Sequence, residues 1–433
     1  RRRHTRYISV TGVQTCALPI LIMAGFNPGD VIVNNLTVVS PRSNSWNMAP
    51  NFLQANILES IFNSSITATI EVLDDQDYLG NLKLAGDESV QFSITKPNGG
   101  TANYNFHLNK VDNVENMPSM KSKKYTLECT SLEVLKGQAN HHQKAYNTTI
   151  DGIVKDIFGT LGSSSGITTE STKGQRKWIA SGKPYDLIET LRREAVSQQY
   201  KGSNFLFWQT AAGFFFQSID SMLNQGDAKT FIMSNALNTS MQGLQMIDQN
   251  IIAFKVLQNF DAASRVHNNV INHRMMTYDP HTHAFKKQDL KPKQGELGDN
   301  LGSGLLTTLD TFLSLFDQNA YKAVMRVVNP NQKLQIGKSY VPDSVPYKQL
   351  QLASMQEQLL NMTVIGDTVL QAGKTINNNV PRIIADPNNS DNDVQISGRW
   401  LMSKVHHEIR MPTDRPRWIT HLECLKGSYQ ESV

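Results

Sequence analysis

Strict alternation of apolar and polar side chains predicts several strands in the first third of the chain. The stretches Ile66 to Val72, Val90 to Ile94 and Tyr104 to Val111 have the two-residue period of a strand with one buried face. Strands of this kind at short spacing are typical of a small antiparallel barrel. We therefore predict a first β-barrel domain over residues 23–137.

The next segment changes to helical periodicity. After the capping cluster at 147–149, apolar residues recur every three or four positions, at Ile150, Ile153, Val154, Ile157, Phe158 and Leu161. Pro184 opens a second helix whose apolar face carries Leu187, Ile188, Leu191 and Ala195. Two aromatic strands, 204–208 and 214–219, flank a turn. This pattern predicts a compact α+β insert domain over residues 138–245.

Two distant segments share one motif order. Residues 108–137 and 402–427 each have Lys-Val at their third and fourth positions and Met-Pro after five further residues, and they continue through Leu-Glu-Cys to Leu-Lys-Gly. Because proline punctuates the chain between alternating stretches, each segment predicts a β-hairpin. A Gly-Asp pair precedes each copy, at Gly86 and at Gly366. Chance similarity of short strands is the competing interpretation, but the shared spacing favours duplication.

The second hairpin predicts a second, discontinuous β-barrel domain formed by residues 246–290 and 355–428. Its partner strands are expected at 251–260 and 266–278, beside 363–365. The remaining predicted parts are an insertion at 291–354, with a flexible glycine-rich loop at 291–304 and a helix at 305–316, and a tail at 429–433. Another helix, from Tyr347 to Leu360, is expected to run up to the last barrel strands. The fold class is therefore α+β, with two similar tube-type antiparallel β-barrels, an inserted α+β domain and a further helical insertion.

The charge of the chain is concentrated at its start. The net charge of +4 comes from four arginines among residues 1–22, which contain no acidic residue. Without them the 42 Lys and Arg become 38, equal to the 38 Asp and Glu. A neutral body lacks the basic footprint that binds phosphates by counterion release, which argues against a dedicated nucleic-acid partner.

The first 22 residues are predicted to be a non-native leader. The apolar run from 10 to 22 is interrupted by polar residues and by Pro19, and it is too short to span a bilayer. Residues 11–20 resemble translated sequencing adapter, so the natural protein is expected to start near Met23. No other stretch approaches transmembrane length. The two remaining cysteines, Cys129 and Cys424, are too few for a disulfide scaffold, which favours synthesis in the bacterial cytoplasm.

Several motifs could carry binding chemistry, but each has a simpler interpretation. Gly373-Lys374-Thr375 mimics the end of a phosphate-binding loop, yet Thr368 replaces the required first glycine, so a tight β-turn is favoured.

The adjacent pairs His141-His142 and His406-His407 point to opposite faces of a strand and cannot simply chelate one metal. His281 and His283 could face the same way, but only Asp279 lies near them. Surface or interface histidines are the expectation.

The nucleophile and carboxylate signatures are equally weak. Cys129 and Cys424 alternate with strand core residues, where an inert buried thiol is expected. The acidic group Glu71, Asp74 and Asp75 could in principle hydrolyse a glycoside, although strand-end carboxylates are commonplace.

The Gly- and Ser-rich stretch 159–166 is predicted to be a flexible exit from a helix. The aromatic residues of 205–216 could stack bases or sugars, but no basic residue lies between Asn204 and Met222, which favours a hairpin core. We predict no catalytic, cofactor or metal site, and no enzyme.

The order of these motifs resembles the central baseplate hub proteins of contractile-tailed (myovirus) phages, which are related to the late-control and spike-base family. The resemblance is carried by Ile57 to Ile61, taken as a leading helix or turn before the strand Ile70 to Asp74, then by Gly86 to Phe92, Ile365 to Ile376 and Ser397 to His406. It covers nearly all of the chain from Met23 and is weakest across 280–345, where the glycine-rich segment near residue 300 departs from the family.

The resemblance implies a structural virion protein of the baseplate. A homotrimer with two similar barrels per subunit would form a pseudo-six-fold ring, adapt the six-fold tail tube to the three-fold spike, and line the genome ejection channel. The implied partners are the tail tube protein and a spike protein, with or without a lysozyme domain; DNA would pass without specific binding, and no membrane insertion is expected. A tail-associated cell-wall hydrolase and a glycan-binding tail protein remain as alternatives.

Overall fold

The computed structural model describes residues 29–427 apart from the stretches 43–44, 82–83, 98, 120, 201–202, 234–247, 259–272, 280–282, 291–321, 328–334, 337–343, 345–346, 349–350, 353–354, 356–357, 383–391, 394 and 412–414. The leader at 1–22, the glycine-rich loop, the helix at 305–316 and the tail were predicted for residues outside this set. The part described is predominantly antiparallel β-sheet with few helices.

The first part of the chain forms strands throughout. These are β1 (Ile32–Val39), β2 (Trp46–Asn47), β3 (Phe52–Ser60), β4 (Thr67–Asp74), β5 (Ser89–Thr95), β6 (Thr101–Met117) and β7 (Ser122–Thr130), with a short helix α1 (Tyr78–Asn81) after β4. The three strands predicted from alternation are confirmed. The expected helix at 57–61 is wrong: residues 57–60 end β3, since Ala55 and Ile57 are buried in alternation with less buried side chains, and Ile61 begins the turn that follows.

The middle of the chain contains the predicted helices and the aromatic hairpin. Its elements are α2 (Leu132–Ala139), β8 (His142–Thr149), α3 (Ile150–Gly159), β9 (Ile167–Thr169), β10 (Gln175–Gly182), α4 (Pro184–Glu194), β11 (Phe205–Thr210), β12 (Gly213–Ser218) and α5 (Ile219–Leu223). The apolar faces of α3 and α4 pack with the inner aromatic residues of β11 and β12 in one buried cluster.

The last part of the chain returns to strands. These are β13 (Asp227–Ile232), β14 (Ile251–Gln258), β15 (His273–Asp279), β16 (Ala284–Leu290), β17 (Lys322–Val327), β18 (Gln335–Ile336), β19 (Gln358–Ile365), β20 (Thr375–Asn379), β21 (Gly398–Arg410) and β22 (Arg417–Lys426). The helix expected to reach Leu360 ends earlier. Residues from Gln358 onward form β19, because Leu360, Met362 and Val364 alternate inward and strands lie on both sides.

One thirteen-stranded sheet joins the two ends of the chain. Its order is β14-β19-β22-β21-β3-β4-β7-β6-β5-β1-β2, and β20 and β13 are added beside the start of β21. Three small sheets stand apart from it: β18-β10-β8, β11-β12-β9 and β16-β15-β17. None of the helices among the described residues is long and apolar enough to cross a membrane.

Two predicted strand assignments are corrected by this topology. The strand at 251–258 does join the second hairpin, as predicted, but β15 pairs with β16 and β17 instead of the long sheet. Conversely β13, which was predicted to lie in the α+β insert, pairs in parallel with β20 of the long sheet. Both corrections concern pairings between strands far apart in sequence, for which alternation gives no partner.

Candidate assembly site

The two predicted hairpins have the same ladder around their cysteines. In β6 and β7, Leu108 lies opposite Cys129 and Lys110 opposite Glu128, with a bulge between the two pairs. In β21 and β22 the equivalent pairs are Met402 with Cys424 and Lys404 with Glu423, again with a bulge between them. A bulge adds one unpaired residue and is a specific local feature, so its repetition confirms that one β-hairpin is used twice.

The repetition extends to two further strands. β4 lies on β7 as β19 lies on β22, because Ala68 and Leu360 face the equivalent cysteines Cys129 and Cys424. β3 then lies on β4 as β14 lies on β19, and both β3 and β14 carry a bulge near their first residues. We call β3-β4-β7-β6 the first unit and β14-β19-β22-β21 the second unit.

Parts of the sequence echo lie outside this equivalence. Gly366 follows β19 and donates its backbone N–H to the Trp418 carbonyl oxygen at 3.0 Å, whereas Gly86 precedes β5. A Cβ at position 366 would lie 2.1 Å from the Trp418 ring, so glycine is needed there for close packing. Likewise Leu135 to Gly137 belong to α2, while Leu425 and Lys426 end β22. The two Gly-Asp pairs and the Leu-Lys-Gly ends therefore do not correspond.

The units meet at a continuous antiparallel seam between β3 and β21. Its register runs from Ser60 opposite Lys404 to Gln54 opposite Arg410. Two residues of the second unit, Ile409 and Trp418, are buried in the apolar core of the first. The seam thus combines backbone hydrogen bonds with a shared core, and it holds the units as neighbours in one sheet.

A buried carboxylate lies beside the seam. Glu59, on β3, is fully buried and accepts backbone hydrogen bonds from Ala211 at 2.8 Å and from Ala372 at 3.1 Å. Burial raises the pKa of Glu59 to about 7, although both hydrogen bonds oppose the rise. This one side chain connects the first unit, the β11-β12 turn and the loop before β20.

A buried charge network forms a second connection. Lys96, which follows β5, lies 2.7 Å from Asp248 and 3.4 Å from Asp367, and Lys229 on β13 lies 2.6 Å from Asp367. Burial alone would raise the pKa of Asp367, but the charges and hydrogen bond of the two lysines outweigh it and hold this pKa below its ordinary value. The network therefore links strands from both halves of the sheet.

The predicted alternation of the histidine pair at 406–407 is confirmed. His407 points inward, where it accepts a hydrogen bond from Trp418 Nε1 at 3.2 Å and burial lowers its pKa to about 3. His406 lies on the opposite face beside Asn56. His407 and His142 are buried, which corrects the expectation of surface histidines. Among the residues that the structure describes, no group of three or more His, Cys, Asp or Glu is arranged to hold a metal; His281 lies outside them.

The Gly-Lys-Thr sequence forms the predicted tight turn. Gly373 has φ of +86° and its N–H donates to the Met402 carbonyl oxygen at 2.9 Å. A Cβ at Gly373 would meet the Trp208 ring at 2.6 Å. The Lys374 ammonium donates to Gln225 Oε1 at 2.9 Å. The lysine therefore contributes to packing between the turn and the end of α5.

The other candidate groups also have structural roles. Asp74 accepts backbone hydrogen bonds from three residues of the following turn, Glu71 pairs with Lys124 at 3.1 Å, and Asp75 accepts from Asn51 at 2.7 Å. Both free cysteines are buried, and burial raises their thiol pKa, that of Cys129 to about 12. The aromatic hairpin packs on α3 and α4, as predicted, and its other face contributes Trp208 to the second apolar core.

No protein-family model and no curated protein matches the chain. Solved structures do match. The tail protein from Neisseria meningitidis MC58 aligns with a TM-score of 0.55 and 11% identity over 90% of this chain and 96% of that one. The 43 kDa tail protein of prophage MuSo2 from Shewanella oneidensis aligns with a TM-score of 0.51 and 8% identity over 91% and 98%.

At these identities the similarity concerns the fold. The chain has the fold of phage tail proteins, and the resemblance to the baseplate hub family that its motifs indicated is confirmed at that level. Sequence reasoning missed Glu59 and the Lys96 network as junction residues, because a single acidic or basic residue in an alternating stretch carries no signal of its partner.

Proposed function

We propose that the chain is the central hub of a phage baseplate and acts as a structural protein without catalytic activity. The observation that supports this proposal best is the repeated four-strand unit, joined to its copy by the seam. A subunit built in this way presents two equivalent surfaces side by side. It is suited to a place where two different rotational symmetries meet.

Three copies would complete a ring of six units. A tail tube has six-fold symmetry and a spike has three-fold symmetry, so six similar β-barrels above and three subunits below would satisfy both. In this arrangement each four-strand unit, extended by β5 and β1 or by β20 and β13, is one barrel. The partners are then the tail tube protein on one side and the spike protein on the other.

The ring would enclose the channel through which the genome leaves. A chain whose body carries equal numbers of acidic and basic residues is suited to this role, because a strongly basic wall would retain DNA by its phosphates. Transient passage without specific binding is the proposed relation to DNA. The proposed location is the baseplate of the virion, after synthesis in the host cytoplasm.

The hydrolase and glycan-binding alternatives have less support. Glu71, Asp74 and Asp75 are each engaged in local hydrogen bonds or ion pairs, which are structural roles. The hairpin aromatic residues, which would be needed to stack a sugar, are largely buried in two cores.

The test is the mass of the full chain in solution, measured by light scattering over a concentration series and followed by particle imaging. We expect a trimer and, in images, a three-fold ring with six lobes around a pore. A stable monomer with a closed cleft would contradict the hub proposal, and peptidoglycan hydrolysis or glycan binding by that monomer would identify which alternative replaces it.

A further inference from the structure

Two strand edges of the long sheet have no strand partner among the described residues. From Ile252 to Leu257, β14 has no described strand on the edge away from β19, and from Lys110 to Met117 β6 pairs with β7 alone. Both edges carry exposed apolar side chains: Ile252 is 52% exposed, Val256 38%, Leu257 47% and, on β6, Val114 52%. Exposed apolar strand edges are templates for pairing with another chain.

Each of these edges is the counterpart of an edge that is paired within the chain. β14 occupies the place in the second unit that β3 occupies in the first, and the end of β6 occupies the place of β21. In the seam, β3 and β21 pair with each other. The two edges therefore correspond to the two halves of the internal seam.

We propose that β14 of one copy pairs antiparallel with the C-terminal half of β6 of a second copy, repeating the internal seam. This inference rests on the proposed ring and identifies the contact that would close it. Three internal seams and three such seams between copies would then alternate around six units.

The register of the second seam follows from the first. Glu115 faces Lys124 and Glu408 faces Ile419, each five residues before the equivalent cysteines, so Glu115 is the counterpart of Glu408. The additional irregularity that β6 has between Asp112 and Glu115 is taken into account in this correspondence.

The same counting applies to the other strand. Asn56 faces Thr69, which faces Glu128, while Lys255 faces Asn361, which faces Glu423. Lys255 is therefore the counterpart of Asn56. Since Glu408 lies opposite Asn56 in the internal seam, Glu115 of one copy would lie opposite Lys255 of the next.

This register places complementary groups opposite each other. Glu115 and Lys255 are both exposed, form no ion pair within the described part of the chain, and carry opposite charges, which favours direct cross-strand pairing. In the same register Asn116 would face Phe254, and Val114 would lie near Val256. The apolar residues now exposed on both edges would be covered together.

Disulfide trapping tests the register directly. The variant Glu115→Cys with Lys255→Cys, in the full chain, should form covalent species up to a trimer on oxidation, seen on a denaturing gel without reductant. Either single variant should remain a single chain. The matched internal pair, Asn56→Cys with Glu408→Cys, should cross-link within one chain and leave the mass unchanged.

Charge reversal supplies a second measurement. Glu115→Lys should cause loss of the trimer at concentrations at which the native chain is assembled, and adding Lys255→Glu should restore it. If the native chain forms a trimer that neither traps through this pair nor responds to charge reversal, the edge assignment is wrong while the ring proposal stands. If the native chain is monomeric at all concentrations, both fail.

Discussion

The two units of the sheet have the same strand order, but their strands come from the chain in different ways. The first unit and its extensions come from one stretch, residues 32–130, whereas the second collects strands between 227 and 426. Next to the repeated strands, β1 lies antiparallel on β5, but β13 lies parallel on β20. An available strand edge thus accepts a partner in either direction.

The two units also differ in the interactions that stabilise them. The first has an aromatic and aliphatic core formed mainly by neighbouring strands, while the second is connected to the first through Trp418, Glu59 and the Lys96 network. Stability of the second unit should therefore depend on contacts with the first. The following predictions test that dependence, from the largest expected effect to the smallest.

Removing the shared tryptophan should have the largest effect. Trp418→Ala empties a fully buried site on β22 that belongs to the core of the first unit, and should cost about 3–5 kcal/mol of unfolding free energy. Denaturant unfolding checks the value, with the exposed Ile179→Ala as control, expected within about 0.5 kcal/mol. Destabilisation of one resolved transition only would show that the units are independent.

Removing the central carboxylate of the charge network should follow. Asp367→Asn removes the negative charge that Lys96 and Lys229 share. Because the side chains of these lysines are only 6% and 12% exposed, the loss should lower the unfolding free energy by about 3 kcal/mol. Because the pKa of Asp367 is depressed in the folded state, its contribution is present above about pH 4 and is lost as the pH falls further.

The exposed pair of Lys110 and Asp112 supplies the control for that variant. Asp112→Asn should leave the unfolding free energy nearly unchanged, because solvent screens this pair. Equal effects of the two substitutions would contradict a special role for the buried network.

Glu59 should make stability depend on pH in the opposite sense. Its folded-state pKa of about 7 lies above the ordinary value of 4.5, so its contribution is fully present below pH 4.5 and is lost as the pH rises through 7. The shift corresponds to about 3 kcal/mol at most. Glu59→Gln should remove this slope, measured by unfolding at several pH values, whereas Glu71→Gln on β4 should retain it.

The smallest expected effect concerns close packing after β19. Gly366→Ala would place a Cβ 2.1 Å from the Trp418 ring and should cost about 1–3 kcal/mol. Gly226→Ala, where a Cβ meets nothing within 4 Å, is the matched control. Similar melting temperatures for the two variants would show that the Trp418 ring can move aside freely.

Local sequence patterns predicted much of the secondary structure. Period-two alternation located β4, β5 and β6, helical spacing located α3 and α4, and the Met-Pro motif order located the repeated hairpin. These features depend on interactions between residues close in sequence, so the residues carry the information themselves. The wrong expectations at 57–61 and at the end of 347–360 arose because a short stretch of mixed apolar and polar residues can suit either a helix or a strand.

The tertiary structure alone decided which strands became neighbours. The sequence by itself determined that a hairpin is repeated, that two helices and an aromatic hairpin separate the copies, and that the body is neutral. It did not determine the seam, the parallel pairing of β13, the burial of Glu59 or the partial burial of Asp367. Backbone hydrogen bonds are nearly the same for every residue, so the choice of a distant partner depends on which edges and cavities the folded chain leaves open.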